Sequence, residues 1–169
     1  MTRATRSRPV LERATATIDT PVGPVRITVA GGVVAAVDHV QDPPDEVPPK
    51  DKLLRKAIRQ IEEYFAGKRR RFDLPMAPAA SPFQQRVRQA VIDIPYGEAA
   101  SYGGVAHILN SGPRAVGQAC GRNDLVLLVP CHRVIGAGGT LGGYGSASGL
   151  ERKRRLLEFE GYPGKFPSN

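Results

Sequence analysis

Two alternating apolar runs, Val25 to Ala30 and Val33 to Val40, flank a Gly31-Gly32 pair. Period-two patterning on either side of a diglycine predicts a β-hairpin. The Thr-Pro-Val-Gly-Pro segment at 20–24 predicts a turn that feeds the first of these strands. Residues 41–50 carry four prolines and no periodicity, so they predict a loop. After it the period changes. Leu53, Leu54, Ala57, Ile58, Ile61, Tyr64 and Phe65 recur at helical spacing, with Gly67 as the stop. The first part of the chain therefore predicts a small sheet with one helix.

Residues 77–80 read as a Pro/Ala-rich connector. Ser81 before Pro82 is an N-cap followed by proline at the first helical position, and Phe83, Val87, Ala90 and Val91 make one apolar stripe behind it. Ile-Pro-Tyr-Gly-Glu at 94–98 breaks that helix. Two short helices follow, one capped by Ser101 and one opening near Arg114, with Ser-Gly-Pro between them. In a basic chain this pattern fits a helix-turn-helix, and it fits an ordinary helix pair as well. Leu125 to Val129 reads as an apolar strand ending at Pro130. A glycine-rich stretch leads to a last helix that ends at Gly161. The expected class is α+β: a small sheet-plus-helix domain at 15–76, then a mostly helical domain with a helix-turn-helix at 81–169.

Composition narrows the setting. At 169 residues and 41% hydrophobic content, the chain can bury one core or a core plus a smaller lobe. No run approaches the ~18 apolar residues needed to cross a bilayer. Residues 1–14 are basic but lack the apolar stretch of a secretory signal, so they are expected to form a loose arm. Two cysteines, Cys120 and Cys131, supply neither a disulfide framework nor a tetrahedral zinc set. The expectation is a reduced, cytoplasmic protein with no metal and no cofactor. A net charge of +8 favours a polyanionic partner and no membrane. The basic runs Lys68 to Arg71 and Arg152 to Arg155 fit solvated faces equally well.

Of the two thiols, Cys120 lies within a helical pattern and reads as a small core residue. Cys131 follows a proline at the end of an apolar run and precedes His132 and Arg133. A thiol becomes a strong nucleophile only when ionised, and a nearby imidazole or guanidinium favours that form. Sequence adjacency alone does not establish contact, so chain context leaves Cys131 either reactive or inert.

The stretch "VPCHRVIG" resembles the active-site signature of the O6-alkylguanine-DNA alkyltransferases. "TPVGPVRITV", "EEYFAGK", "SPFQQRV", "IPYGEAASYGGVA", "RAVGQA", "LGGYG" and "RKRRLLEFEG" occur in that family's order, so the resemblance spans Thr15 to Gly161. It implies a single-turnover repair protein, monomeric in solution, that binds double-stranded DNA carrying O6-alkylguanine. It would rotate the damaged base out of the stack and keep the alkyl group on its own cysteine. Cys131 would be the acceptor. His132 would take its proton through a water, and Glu160 would fix the tautomer of His132. Asn123 would order the loop near the thiol. Tyr102 would supply a proton to the departing guanine. Arg114, leading Ala115 and Gly117 in the Arg-Ala-Val-Gly run, would fill the space the base leaves, with Ser101 on the same surface. Tyr144 and Gly145 would wall the pocket, and the carbonyls of Cys131 and Val134 would accept from the exocyclic amine.

The chain departs from the family pattern at three places. Asp124 stands where Pro is usual, and a carboxylate there is expected to raise the thiol pKa. Arg88 stands where Trp is usual. The loop after Tyr144 is longer than usual, which bears on substrate range. A lesion-binding protein without transfer and a helix-turn-helix regulator with an inert cysteine are the competing readings.

Overall fold

The structure, a computed structural model, describes residues 12–46, 48–142 and 147–166. Three antiparallel strands form the first sheet in sequential order, β1 (Arg13–Ile18), β2 (Val25–Ala30) and β3 (Val33–His39). The diglycine hairpin is present, with Gly31 and Gly32 both at positive φ as a tight turn requires. β1 is an addition to the expected hairpin and begins at Arg13, inside the stretch expected to be a loose arm. The register slips at Thr28/Val29, a bulge in β3.

Helix α1 (Lys52–Phe65) covers one face of this sheet. Asp51 caps it, accepting from the Leu54 amide at 2.9 Å, and Gly67 ends it in the left-handed region. Its apolar stripe, Leu54, Ala57 and Ile61, is buried with Val25, Ile27 and Val34 of the sheet. Burial of an aliphatic side chain contributes about 1.5–3 kcal/mol, so this seam holds the first domain together. Buried Gln60 clamps the following connector, donating to the Asp73 carbonyl at 3.0 Å and accepting from the Asp73 amide at 2.9 Å.

The second domain is helical. α2 (Pro82–Ile92) starts at Ser81, whose hydroxyl accepts from the Gln84 amide at 3.1 Å. Arg88, which takes the place of an expected aromatic, is buried on this helix and donates to the Ala77 carbonyl at 2.7 Å. α3 (Tyr102–Ile108), a tight turn with Asn110 at φ 52°, and α4 (Pro113–Gly121) give the expected helix-turn-helix order. α5 (Ala147–Phe159) closes the chain. A short parallel pair, β4 (Ala100–Ser101) with β5 (Val134–Ile135), ties the start of α3 to the segment after Cys131.

The expected strand at 125–129 does not form. Leu125 makes a single bridge to Val37, and the chain then turns, with Leu127 at φ 71°. The Asn123 side chain closes this turn, donating to the Val129 carbonyl at 2.9 Å and accepting from the Leu125 amide at 3.0 Å. Apolar continuity here reflects burial on every side rather than sheet pairing. The outer edge of β3 meanwhile grips two segments. Val34 exchanges backbone bonds with Pro75 and Ala77, and Val37 with Asp124 and Val126. The sheet of the first domain thus holds the turn that delivers Cys131.

Candidate active site

Proline at 130 ends the 125–130 turn, and a 3-10 turn (Cys131–Arg133) begins at once. The Cys131 amide donates to the Val129 carbonyl at 2.8 Å, which fixes the cysteine backbone. Cys131, His132 and Arg133 are all buried, Cys131 at 4% exposure. Burying three polar residues in sequence is costly unless each has partners.

The partners converge on Glu160, just after α5. Its Oε1 accepts from His132 Nε2 at 2.8 Å, from the Tyr64 hydroxyl at 2.7 Å and from Arg133 at 2.9 Å. Its Oε2 accepts from Arg133 Nε at 2.9 Å, so the guanidinium grips both oxygens. Arg133 also donates to the Ile94 carbonyl at 2.8 Å. Burial pushes the Glu160 pKa up, but the bonds from His132 and Arg133 outweigh it and bring it down to about 2. The carboxylate is therefore ionised at neutral pH.

An ionised carboxylate only accepts, so Nε2 of His132 carries the proton and Nδ1 is left as the basic nitrogen. Burial holds the His132 pKa below its ordinary value despite the Glu160 bond, which keeps the imidazole neutral. Tyr64, buried and donating to Glu160, has its pKa pushed upward by desolvation and then by the carboxylate charge.

The Cys131 thiol lies against the Cys120 thiol. Hydrogen bonding to Cys120, then burial, raises the Cys131 pKa well above the ordinary range, while Lys153 and Asn123 pull it down. The resting sulfur is a thiol. Cys120 is half-buried at the end of α4, a neighbour of Cys131 rather than the simple core residue expected. Asp124 does not act as expected. It is exposed, and its charge bears on Asp38, whose pKa burial and then Asp124 raise.

Lys153 is fully buried on α5 and its ammonium donates to the Tyr102 hydroxyl at 3.2 Å. Burial lowers its pKa to about 8, against the pull of the two thiols. Tyr102 rises to about 12 through burial, then through Cys120 and Cys131. Tyr102 lines a cavity of about 640 Å³ together with Ser101, Arg114 and Gly117. Cys131 is not among its described lining residues; Tyr102 links the two. Arg114 is exposed on the first turn of α4 and Ala115 half-buried behind it. Ser101 caps α3, accepting from the Gly104 amide at 2.9 Å. Gly142, at φ 73°, passes so close to the Tyr102 ring that an added Cβ would lie 2.6 Å from it. Val134 is buried in β5, and its amide donates to the Cys131 carbonyl. Tyr144 and Gly145 lie outside the described residues, and no group of three or more metal-ligating side chains is found among the described residues.

Arg133, Tyr64 and Lys153 carry much of this geometry, yet nothing in the sequence assigned any of them a contact with Glu160 or Tyr102. Lys153 had a signal: with Leu156, Leu157 and Glu160 it falls at the spacing of one helix face. Tyr64 read only as part of the α1 apolar stripe, since its partner is 96 residues away.

A small antiparallel-sheet domain joined to a helical domain, with a cysteine beside a histidine–carboxylate pair, places the chain among proteins with a cysteine-centred site. The chain belongs to the 6-O-methylguanine DNA methyltransferase family, whose ribonuclease-like domain matches residues 14–78 and whose DNA binding domain matches residues 82–162. The methylated-DNA–protein-cysteine methyltransferase of Methanosarcina acetivorans is 40% identical over 153 residues, covering 86% of this chain and 97% of that protein. That of Mycobacterium bovis is 41% identical over 150 residues, 85% of this chain and 90% of the relative. The crystal structure of Mycobacterium tuberculosis O6-methylguanine methyltransferase superposes with a TM-score of 0.77 at 38% identity, covering 91% of this chain and 96% of that one. A Mycobacterium tuberculosis structure in complex with DNA gives 0.76 at 41%, covering 87% and 92%. Among the described residues, no helix is long and apolar enough to cross a membrane.

Proposed function

We propose that the protein repairs alkylated DNA by direct reversal, moving the alkyl group of an O6-alkylguanine onto Cys131. The observation that carries this reading is a buried Cys131 followed directly in the chain by a neutral His132 whose Nε2 is held by Glu160 at 2.8 Å. A sulfur that rests protonated needs a base at the moment of reaction, and Nδ1 of His132 is that base, through a water.

The step balances without a co-reactant. The proton leaves sulfur for His132, the thiolate attacks the alkyl carbon, and the carbon–O6 bond breaks as the carbon–sulfur bond forms. Guanine departs with the electron pair and takes up a proton from Tyr102. Tyr102 is placed at the cavity wall, and the neighbouring Lys153 ammonium stabilises the charge that develops there. Arg133 and Tyr64 keep the Glu160 carboxylate oriented. A thioether has no ready reverse path, so each molecule acts once.

Access to a base within a duplex requires its extrusion. Arg114, exposed on α4 at the rim of the Tyr102 cavity, is the side chain that fills the vacated stack. The net charge of +8 supports a DNA backbone as partner, and the DNA-bound relative adds to that support.

The test is the intact mass of the protein after incubation with duplex DNA bearing O6-methylguanine. A gain of one methyl, located on Cys131 and absent in Cys131→Ala, is expected. Binding of the lesion without any mass change would overturn transfer and favour a lesion sensor.

A further inference from the structure

A second cavity, of about 500 Å³, shares no lining residue with the one formed by Tyr102 and Arg114. It lies between the connector after α1, the end of α2 with Ile94 to Tyr96, and the turn that leads to Cys131. Its apolar lining includes Phe72, Leu74, Ile92 and Leu128. Its charged lining residues are Arg70, Arg71 and Arg133, the last already paired with Glu160, and Tyr96 lines it as well. Arg70 and Arg133 both lie over the Tyr96 ring, at 5.0 and 5.7 Å from its centroid.

Cationic groups gathered at an apolar hollow call for an anion. The neighbouring carboxylates do not meet that need. Glu160 is taken up by Arg133, His132 and Tyr64, and Glu63 by Arg69. Asp73 faces Lys56, and Asp93 accepts from Gln89. No Asp or Glu is among the described lining residues, and Arg70 and Arg71 make no ion pair among the described residues. The basic run Lys68 to Arg71, which charge alone left unassigned, is thus split. Arg69 braces the end of α1, while Arg70 and Arg71 border the hollow.

We propose that this cavity binds a small amphipathic anion: an organic carboxylate or phosphate with a flat apolar body. The head group meets Arg70 and Arg71, whose planar forks match either oxyanion. The body lies on Phe72, Leu74 and Leu128, where leaving water is favourable. Neither half suffices alone: a bare inorganic anion leaves the floor hydrated, and a neutral aromatic leaves the guanidinium groups unmatched.

Titration calorimetry of the full chain tests this with 1-naphthyl phosphate, 1-naphthoate and neutral 1-naphthol. One phosphate or one carboxylate is expected to bind per chain, with naphthol weaker by about tenfold or more. The double variant Arg70→Ala/Arg71→Ala is expected to lose a similar factor. Arg122→Ala, which removes an exposed arginine at the end of α4 that lines neither cavity, is expected to leave affinity unchanged. The altered arginines are exposed, and a melting curve for each variant checks that the fold is kept. No detectable binding by the unmodified chain, retention of affinity in the double variant, or an equal loss in Arg122→Ala would each overturn the proposal. The last result would assign the binding to diffuse positive charge. The readout is heat of binding, so it stands or falls apart from alkyl transfer.

Discussion

Replacing Glu160 by Gln keeps the side-chain shape and removes the charge. The carboxylate receives four hydrogen bonds from three residues, and all four come from donors. An amide offers one acceptor oxygen and turns an NH₂ toward the rest, so at least one donor faces another donor. Arg133 is then a buried cation without its counter-ion. Breaking a buried pair by removing one partner costs about 3–5 kcal/mol, a large part of the stability of a typical domain. The pH dependence gives a second, independent magnitude. Glu160 falls from its ordinary 4.5 to about 2 in the folded chain. A depressed carboxylate pKa contributes stability above the unfolded value, and that contribution is lost as pH falls toward the folded value. At 1.36 kcal/mol for each tenfold, the difference amounts to about 3 kcal/mol. Urea denaturation at a series of pH values is the assay. The unmodified chain should be near its plateau above about pH 5 and lose roughly 3 kcal/mol by about pH 2. Glu160→Gln should start lower by about 3–5 kcal/mol and lack most of that acid limb. An unchanged acid limb in the variant, or a loss at pH 7 under about 1 kcal/mol, would refute the idea that this carboxylate organises the site.

Other outcomes follow from the same geometry. Arg114→Ala should weaken reaction with lesions in duplex DNA by about tenfold or more while sparing reaction with free O6-benzylguanine. Equal losses in the two single-turnover rates would remove its place in the stack. Gly142→Ala puts a Cβ into a left-handed backbone and 2.6 Å from the Tyr102 ring. It should cost about 2 kcal/mol in urea denaturation and slow alkyl transfer, and a silent variant would disprove the close approach. His39 has no hydrogen-bond partner for either ring nitrogen among the described residues, and burial lowers its pKa to about 4. His39→Leu should therefore raise stability at pH 7 by about 1 kcal/mol, and a loss of that size would reveal a partner for the imidazole.

The parts of the fold legible from sequence are those whose chemistry is local. Ser81-Pro82 and Ser101 announce helix starts because each hydroxyl caps the amide three residues ahead. The Gly31-Gly32 turn is legible for the same reason. β1 is not, because its apolar positions in Arg-Ala-Thr-Ala-Thr-Ile are mostly alanine, a weak strand former, and it owes its structure to pairing with β2. Leu125 to Val129 misleads, since an apolar run buried on all sides looks like a strand whether or not it pairs. At the site, Cys131, His132, Asn123 and Glu160 were singled out through the family resemblance, and the geometry brings all four into one neighbourhood. Spacing alone could not have joined residues from a turn and a helix end. Lys153 sat within a basic run that reads as a wet surface, although its register with Leu156 and Leu157 placed it inside. Asp124 was expected beside the thiol because it stands where the resembled family has proline, yet it lies exposed.

The Tyr64 hydroxyl has a further consequence. It crosses from the sheet-bearing half of the chain to a carboxylate in the reactive half, and the β3 edge grips the turn before Cys131 from the same side. Anyone trimming this scaffold to a minimal self-labelling tag would find the amputated piece short of an anchoring proton and of a backbone rail. The discarded half would have to be replaced by new interactions in kind, so the two domains are best engineered together.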